Sequence, residues 1–497
     1  MLGRLFWLFA PKKYSRTELD AMGRDFVLDE IRAASQTAYG IDHQFASISD
    51  YHDFVTRVPL VEYDDIAAYI QRSLAWEKWV LTHHAIDYFA KSAGSTSAVS
   101  KYLPVTWFSL KKNHRKVTKD FISTYLKNNP TSRLLRGKSL MLTWSFEKNP
   151  ITQEDNVWFI SAILHKNTPR YLQPRRSDNG NDTAIRDWDE KLRYIVTTTQ
   201  YDDVVCIAGV WPWIVMLWEY TKKILGKTPR EVWPNLELIL SWAVNISIYK
   251  DQYQAIFGDD IRIYNMYNAS EGFYAYQDKN DDHALYLAAH HGIWYEFIPM
   301  DAYHGVYSQT VSLADIQAGV DYAVVITTQS GLWRYINGDV IRFEDIENLR
   351  FHVVWRTKFF INTFDEKTSV DHTHKAIAHA CKLHNVIIKE YTVWPKFIGE
   401  ASRGMHEWII EFVQKPTDMD MFIDHLDQWL QEANSHYKGK RSNDLLMIKP
   451  IVHAAPEGTF HAWFASKGKL GGQSKVPSVQ NDRKVLEEML YIIESWF

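Results

Sequence analysis

The residues best suited to chemistry fall in four short stretches. The first is KSAGSTSAVSKYLPVT, Lys91 to Thr106. Within it Ser92, Ala93, Gly94, Ser95 and Thr96 form a small, hydroxyl-rich loop between two strand-like segments. Gly94 and its small neighbours let backbone N–H groups close around a phosphate chain. The G-x-x-x-x-G-K-[ST] spacing of a P-loop is absent, and a serine-rich turn that binds nothing is the alternative reading. The second stretch is YNMYNASEGFYAYQD, Tyr264 to Asp278. A strand ends there in Tyr267-Asn268-Ala269-Ser270-Glu271-Gly272. Glu271, at a strand end beside glycine, is placed to reach a ligand or hold Mg²⁺ through oxygen; otherwise it is a loop carboxylate. The third is GLWRYINGDVIRF, Gly331 to Phe343. Asn337-Gly338 predicts a hairpin turn. Asp339 follows it, either completing the turn or offering two acceptor oxygens to the hydroxyls of a ribose. The fourth is SKGKLGGQSKVPSVQNDRKV, Ser466 to Val485. Gly471-Gly472 loosens this loop, and Lys475 can swing from it onto a phosphate or simply stand in water.

Other chemistries find less support. His290 and His291 are adjacent, not spaced i, i+4 on a helix, and no H-E-x-x-H occurs. His372 and His374 at a helix start make at most half a metal site. No G-x-S-x-G nucleophile turn is present. The two cysteines, Cys206 and Cys381, stand in apolar surroundings far apart in sequence. That pattern fits a reducing cytoplasm and inert core thiols.

The elements that must position these stretches are legible in outline. With 497 residues the chain is too long for one core, so two or more domains are expected. Its net charge of -4 argues against a broad basic surface for nucleic acid or anionic lipid. The opening MLGRLFWLFAPKK has a short apolar run with its basic pair behind it, unlike a secretory signal. Val204 to Trp218 is too short for a membrane span and reads as a strand, a turn and a helix from Pro212. A helix is predicted on Leu19, Met22, Phe26, Val27, Ile31 and Ala34, with Gly40 as its stop. Ser49 is the expected cap of the next helix. Strands are expected at 139–144, 204–209, 261–267, 294–300 and 322–328, with helical patterns between several of them. Such alternation implies α/β layers around a buried sheet. Gln173 to Thr183 reads as a polar surface loop whose Arg175–Arg176 pair meets either a phosphate or water. From about Asp365 the expected order is helix, strand, strand, helix, strand pair, helix. His406–Val413 reads as a strand, and the apolar stripe Met419, Phe422, Ile423, Leu426, Trp429, Leu430 and Ala433 as a helix.

Together, and in this order, the four stretches resemble the adenylate-forming superfamily of acyl-CoA synthetases and firefly luciferase. More closely they resemble its auxin-responsive-promoter branch, the acyl-acid amido synthetases. TAYG, DYHDFVTRVPLVEYDDI, YEFIP, RTKFFINTF, HEWIIEF and GGQSKVP extend the likeness over nearly the whole chain. The resemblance implies a large N-terminal α/β domain with mixed sheets, residues 1–364, that binds nucleotide and acyl acid. It implies a small mobile α+β lid, residues 365–497. ATP and Mg²⁺ would be required. Ser92, Ala93, Gly94, Ser95 and Thr96 match the phosphate loop, and Tyr267 matches the aromatic on adenine. Ser270 matches the adenine-side turn, and Glu271 the carboxylate serving Mg²⁺ and phosphate. Asp339 matches the ribose aspartate, Arg356 a nucleotide-contacting arginine, and Lys475 the lid lysine of adenylation.

The chain departs from the family pattern at Ala93, where a second serine is usual, and at Ser95, where threonine is more frequent. Trp355 and Asp365 replace common glycines, and Ser478 a common basic residue. The implied activity is ATP-dependent conjugation of a carboxylic acid to an amine, an amino acid by family likeness, in the cytoplasm, without nucleic acid or membrane. An adenylating enzyme with another acceptor, such as coenzyme A, and a non-catalytic nucleotide or small-acid binder are the alternatives.

Overall fold

The computed structural model describes all residues except 1–11, 92–100, 144–147, 171, 178–180, 186–187, 243–255, 259, 357–359, 362–365, 367, 399–402, 435–436, 439–440, 442–446, 468–475, 481–482 and 496–497. The chain divides into two compact units, one built mainly from residues up to His352 and one mainly from Val353–Phe497.

The first unit opens with helix α1, Arg16–Ala34. Ser15 and Glu18 form a capping box: the Glu18 N–H donates to Ser15 Oγ at 3.2 Å and the Ser15 N–H to Glu18 Oε2 at 2.7 Å. Its buried face carries Leu19, Gly23, Val27, Glu30, Ile31 and Ala34. At Gly23 a Cβ would lie 1.9 Å from the Trp294 indole, so this helix sits tight on the strand that bears Trp294. The helix stops at Ala34, short of Gly40. Gly40 lies inside the next short helix, Ala38–Asp42, and a Cβ there would meet the Ala34 carbonyl oxygen at 2.1 Å. The cap of Tyr51–Arg57 is Asp50, whose carboxylate accepts from the Asp53 N–H. The expected cap, Ser49, donates instead to the Asp53 side chain at 2.7 Å.

Among the described residues, fourteen strands follow in this part of the chain. Strands β1, Ile86–Lys91, β2, Tyr102–Thr106, and β4, Val157–Trp158, form a three-stranded sheet in the order β2-β1-β4. The last pair of the antiparallel β1–β2 ladder is Lys91 with Tyr102, the two residues that flank the first chemical stretch. The other eleven make one sheet. In chain order they are β3, Lys138–Met141; β5, Val204–Val210; β6, Leu238–Trp242; β7, Arg262–Asn268; β8, Phe273–Gln277; and β9, Leu285–Leu287. Then come β10, Ile293–Pro299; β11, Val311–Ser312; β12, Asp321–Thr328; β13, Tyr335–Asp345; and β14, Arg350–Arg356. Their spatial order is β11-β10-β12-β13-β14-β9-β8-β7-β6-β5-β3. The five strands expected here from sequence are all present.

The run β3-β5-β6-β7 is parallel and β7-β8 is antiparallel. Val204–Val210 is almost wholly buried, as a strand covered on both faces must be. The helix after it begins at Trp211 with Pro212 in its first turn. One apolar core, including Val204, Ile207, Ile239, Trp213 and Trp233, packs around these parallel strands. Another, including Val27, Ile31, Trp294, Phe297, Trp333 and Phe351, joins α1 to the antiparallel part. In the polar stretch 173–183 two 3₁₀ turns form, and Arg176 turns inward to the carbonyl and ring of His165 at 3.2 and 3.0 Å.

The second unit contains strands β15, Phe360–Ile361, and β16, Thr368–Ser369, paired antiparallel. After them come helix α2, Val370–His384; strands β17, Ile387–Ile398, and β18, Arg403–Gln414; and helix α3, Met419–Ala433. Strand β19, Ile451–Ala455, is followed by helices α4, Thr459–Ser466, and α5, Lys484–Glu494. Where a strand pair is expected, the described residues form one strand and a helix, Thr459–Ser466. The sheet order is β17-β18-β19. Phe422, Ile423, Leu426 and Leu430 from α3 enter a core with Ile377, Ala380, Trp408 and Phe412. Among the described residues, no helix is long and apolar enough to cross a membrane.

Candidate nucleotide site and the family

In α/β sheets ligands bind outside the carboxyl ends of parallel strands, where the strand pattern switches. Strand β7 is the last of the parallel run, and its carboxyl end carries Tyr267 and runs into the turn holding Ser270 and Glu271. The Ala269 N–H donates to the Gly272 carbonyl at 2.9 Å and closes this turn. Gly272 packs closely on the neighbouring strand, since a Cβ would lie 2.5 Å from Ile293 Cδ1 and the Ile293 side chain would have to shift. Tyr267, Ser270 and Glu271 are half-buried. Glu271 supplies carboxylate oxygen, the hard donor that Mg²⁺ takes.

The turn is braced from below by Asn113, a residue that sequence reasoning passed over. Its amide donates to the carbonyls of Phe273 at 3.0 Å and His291 at 2.9 Å, and its Oδ1 accepts from the Phe273 N–H at 2.8 Å. It lies in a π-helical turn, Leu110–His114, a bulge common at functional sites.

Asn337-Gly338 does not make a hairpin. Strand β13 runs through both residues without reversing. Gly338 has φ +88°, so the glycine serves a kink inside the strand rather than a turn between strands. The Asn337 amide donates to the Tyr267 hydroxyl at 3.2 Å. Tyr267 reaches it across the sheet face, edge-on to Tyr274 with ring centroids 4.8 Å apart and beside Phe351 at 6.2 Å. The second and third chemical stretches therefore meet through their side chains. Asp339 stands two residues beyond Asn337 on the same strand and is 5 % exposed. Arg356 is the last residue of β14.

Ser92, Ala93, Gly94, Ser95, Thr96, Lys475 and Asp365 lie outside the described residues. The flank of Lys475 is nevertheless fixed within the second unit. Val476 is buried, the Pro477 carbonyl accepts from Thr392 Oγ1 at 2.7 Å, and Val393 exchanges backbone hydrogen bonds with Ser478 and Gln480 at 3.0 Å each.

The family is set by three matches in register along the chain. The GH3 family N-terminal domain matches residues 16–166, the central domain 286–354 and the C-terminal domain 371–484. The chain belongs to the GH3 family. It is 23% identical over 459 residues to the indole-3-acetic acid-amido synthetase GH3.8 of Oryza sativa subsp. indica, covering 76% of this chain and 73% of that one. It is 21% identical over 549 residues to the probable indole-3-acetic acid-amido synthetase GH3.1 of Arabidopsis thaliana, covering 94% and 90%. The fold is similar to that of the GH3.15 acyl acid amido synthetase, with a TM-score of 0.77 and 18% identity over 96% of this chain and 94% of that one. It is also similar to a 2-hydroxyisobutyryl-CoA ligase in its postadenylation state, with a TM-score of 0.62 and 12% identity over 98% and 96%. This GH3 chain thus has the fold of adenylate-forming ligases.

Among the described residues, two clusters of one carboxylate with two histidines were not visible in the sequence. Adjacent His290 and His291 both direct Nε2 at Asp120 Oδ2, at 3.5 and 2.6 Å. Burial pushes the Asp120 carboxyl up, but hydrogen bonds from the two histidines bring it below its ordinary value. The second group is Glu30 with His83 and His84. Both histidine pairs converge because a carboxylate distant in sequence lies beside them, and no motif spacing records that.

Proposed function

We propose that this GH3 chain is an ATP-dependent acyl-acid amido synthetase. In the first step a carboxylate oxygen attacks the α-phosphorus of ATP. The new P–O bond gives an acyl-adenylate, and the bond to pyrophosphate breaks. Ser92, Gly94, Ser95 and Thr96 cradle the phosphates, with Ala93 contributing only its backbone. Tyr267 packs on adenine with Ser270 beside it, Asp339 accepts the ribose hydroxyls, and Arg356 contacts the nucleotide. Lys475 meets negative charge as it develops on the phosphate oxygens. Glu271 would hold Mg²⁺, which when bound neutralises phosphate charge. In the second step an amine nitrogen attacks the activated carbonyl. The amide forms, the C–O bond to AMP breaks, and the amine loses a proton. Between the steps residues 365–497 rotate near Asp365, withdrawing Lys475 and admitting the amine. The protein works in the cytoplasm on small molecules.

The observation that carries this reading is the ordered match of all three GH3 domains along one chain. The position of Tyr267 and Glu271 at the end of the last parallel strand, tied through Asn337 to the strand of Asp339, supports the site. The test is a pyrophosphate-release screen of carboxylic acids crossed with amino acids, with coenzyme A as a parallel acceptor and mass identification of products. Release that needs both an acid and ATP, with an amide as product, is expected. A thioester product alone reassigns the acceptor, and no acid-dependent release with any acid overturns the enzyme reading.

A further inference from the structure

Glu30, His83 and His84 come from two places: the buried face of α1 and the segment leading into β1. Glu30 Oε2 lies 4.0 Å from His83 Nδ1 and 3.8 Å from His84 Nε2. Both separations are too long for hydrogen bonds. Neither nitrogen has another partner, although both atoms are buried. Two orphaned imidazole nitrogens facing one carboxylate oxygen are costly unless something sits among them. The contrast with the other group is informative, because there His291 Nε2 makes a 2.6 Å hydrogen bond to Asp120 and a proton satisfies the pair.

We propose that Glu30, His83 and His84 bind a divalent transition ion of the Zn²⁺ class. Two nitrogens and one oxygen are the donor set such ions take, with one position left for water. Zn²⁺ bonds of about 2.0–2.2 Å place tetrahedral ligand atoms roughly 3.3–3.5 Å apart. The two carboxylate–imidazole separations need to close by about half an ångström around the ion, and all three ligand atoms lie within 4.8 Å of one another. Adjacent histidines can converge because one uses Nδ1 and the other Nε2. Their rings lie against each other with centroids 3.8 Å apart. The second shell is in place: Gln329 Nε2 donates to Glu30 Oε1 at 3.1 Å and leaves Oε2 turned to the imidazoles. The side chains of His83 and His84 are 30% and 20% exposed, which gives an ion a path in. His84 also stacks on Phe108, just past β2, with centroids 4.5 Å apart. A bound ion would therefore staple α1 to the base of the β1–β2 pair that carries residues 92–100.

The test uses untagged full-length protein, stripped with a chelator and titrated with Co²⁺ or Zn²⁺ alone, without nucleotide. Wild type should take up one equivalent of Co²⁺ with visible ligand-field bands that Zn²⁺ displaces, and Zn²⁺ should raise its melting temperature. His83→Ala and Glu30→Gln should each lower affinity by more than about 100-fold, beyond the about 10–100-fold expected for the outer-shell change Gln329→Ala. Asp120→Asn should bind as wild type does. Absence of bands in wild type overturns the proposal without any variant. So does unchanged binding in folded His83→Ala, or loss of binding in Asp120→Asn alone.

Discussion

At the scale of single residues, the proposed chemistry separates binding from rate. Lys475 is assigned to charge that exists only as the phosphoryl bond rearranges. Lys475→Ala should lower acid-dependent ATP–pyrophosphate exchange about 10²–10³-fold, while calorimetry shows nearly normal ATP binding. Unchanged exchange would remove this lysine from the mechanism. Asp339 should behave oppositely. Asp339→Ala should raise the ATP dissociation constant, and an unaltered constant would count against the ribose role. Asn337 is subtler, because its amide acts through the Tyr267 hydroxyl. One such hydrogen bond is worth about 0.5–1.5 kcal/mol net, so Asn337→Ala should raise the KM for ATP by up to about tenfold and leave kcat near its original value.

At the scale of elements, the stretch from Gln329 to Arg334 shows how a connection can be fixed more tightly than a strand. Arg334 has φ +45°. Its guanidinium is buried against Glu296, with Nε to Oε2 at 3.0 Å, and it also donates to the Val58 carbonyl at 2.8 Å. Gly331 has φ +88°, and a Cβ there would meet the Leu81 carbonyl oxygen at 2.6 Å. That backbone cannot retreat freely, since Trp333 Nε1 donates to the same oxygen at 2.9 Å. Gly331→Ala should cost about 1–3 kcal/mol or more, read as a fall in urea midpoint with circular dichroism. Periodicity made the regular elements legible: the β-branched run at Val204 and the stripe from Met419 each obey one spacing. Asn337-Gly338 misled because the dipeptide reports a local φ preference, and a strand interior can use that as well as a hairpin. Gly40 and Ser49 misled by neighbourhood, since Ala34 ends its helix before Gly40 and Asp50 caps in place of Ser49. The four chemical stretches were readable because each is continuous. Asn113, Glu30 and Asp120 were not, because their partners are supplied by folding.

At the scale of the whole molecule, each unit has its own apolar core and its own buried ion pairs. In the second, Glu407 is a buried hub. Its carboxylate accepts from Lys396 Nζ at 2.9 Å, His453 Nε2 at 2.9 Å and Arg483 Nη2 at 2.8 Å. Burial pushes this carboxyl up, but those three donors more than reverse it and hold it at about 2. Unfolded, the same group titrates near 4.3. Between these values the unfolded chain binds the extra proton, so stability rises with pH there. The contribution is complete above about pH 5 and fades as pH falls toward about 2. Urea melts between pH 5 and 3 should show a steep loss that Glu407→Gln flattens; an equal slope in the variant would remove Glu407 as its source.

The fit of Gly23 against the Trp294 indole has a consequence for how the protein is made. Synthesis runs from the N-terminus at about 5–20 residues per second, so the helix emerges tens of seconds before the strand that covers it. Throughout that interval the helix has only its near neighbours in sequence, such as Phe45 and Phe54, to pack on, and the face at Gly23 lacks its Trp294 cover. A nascent chain stalled before residue 290 should recruit a ribosome-associated chaperone, and one released past residue 360 should shed it.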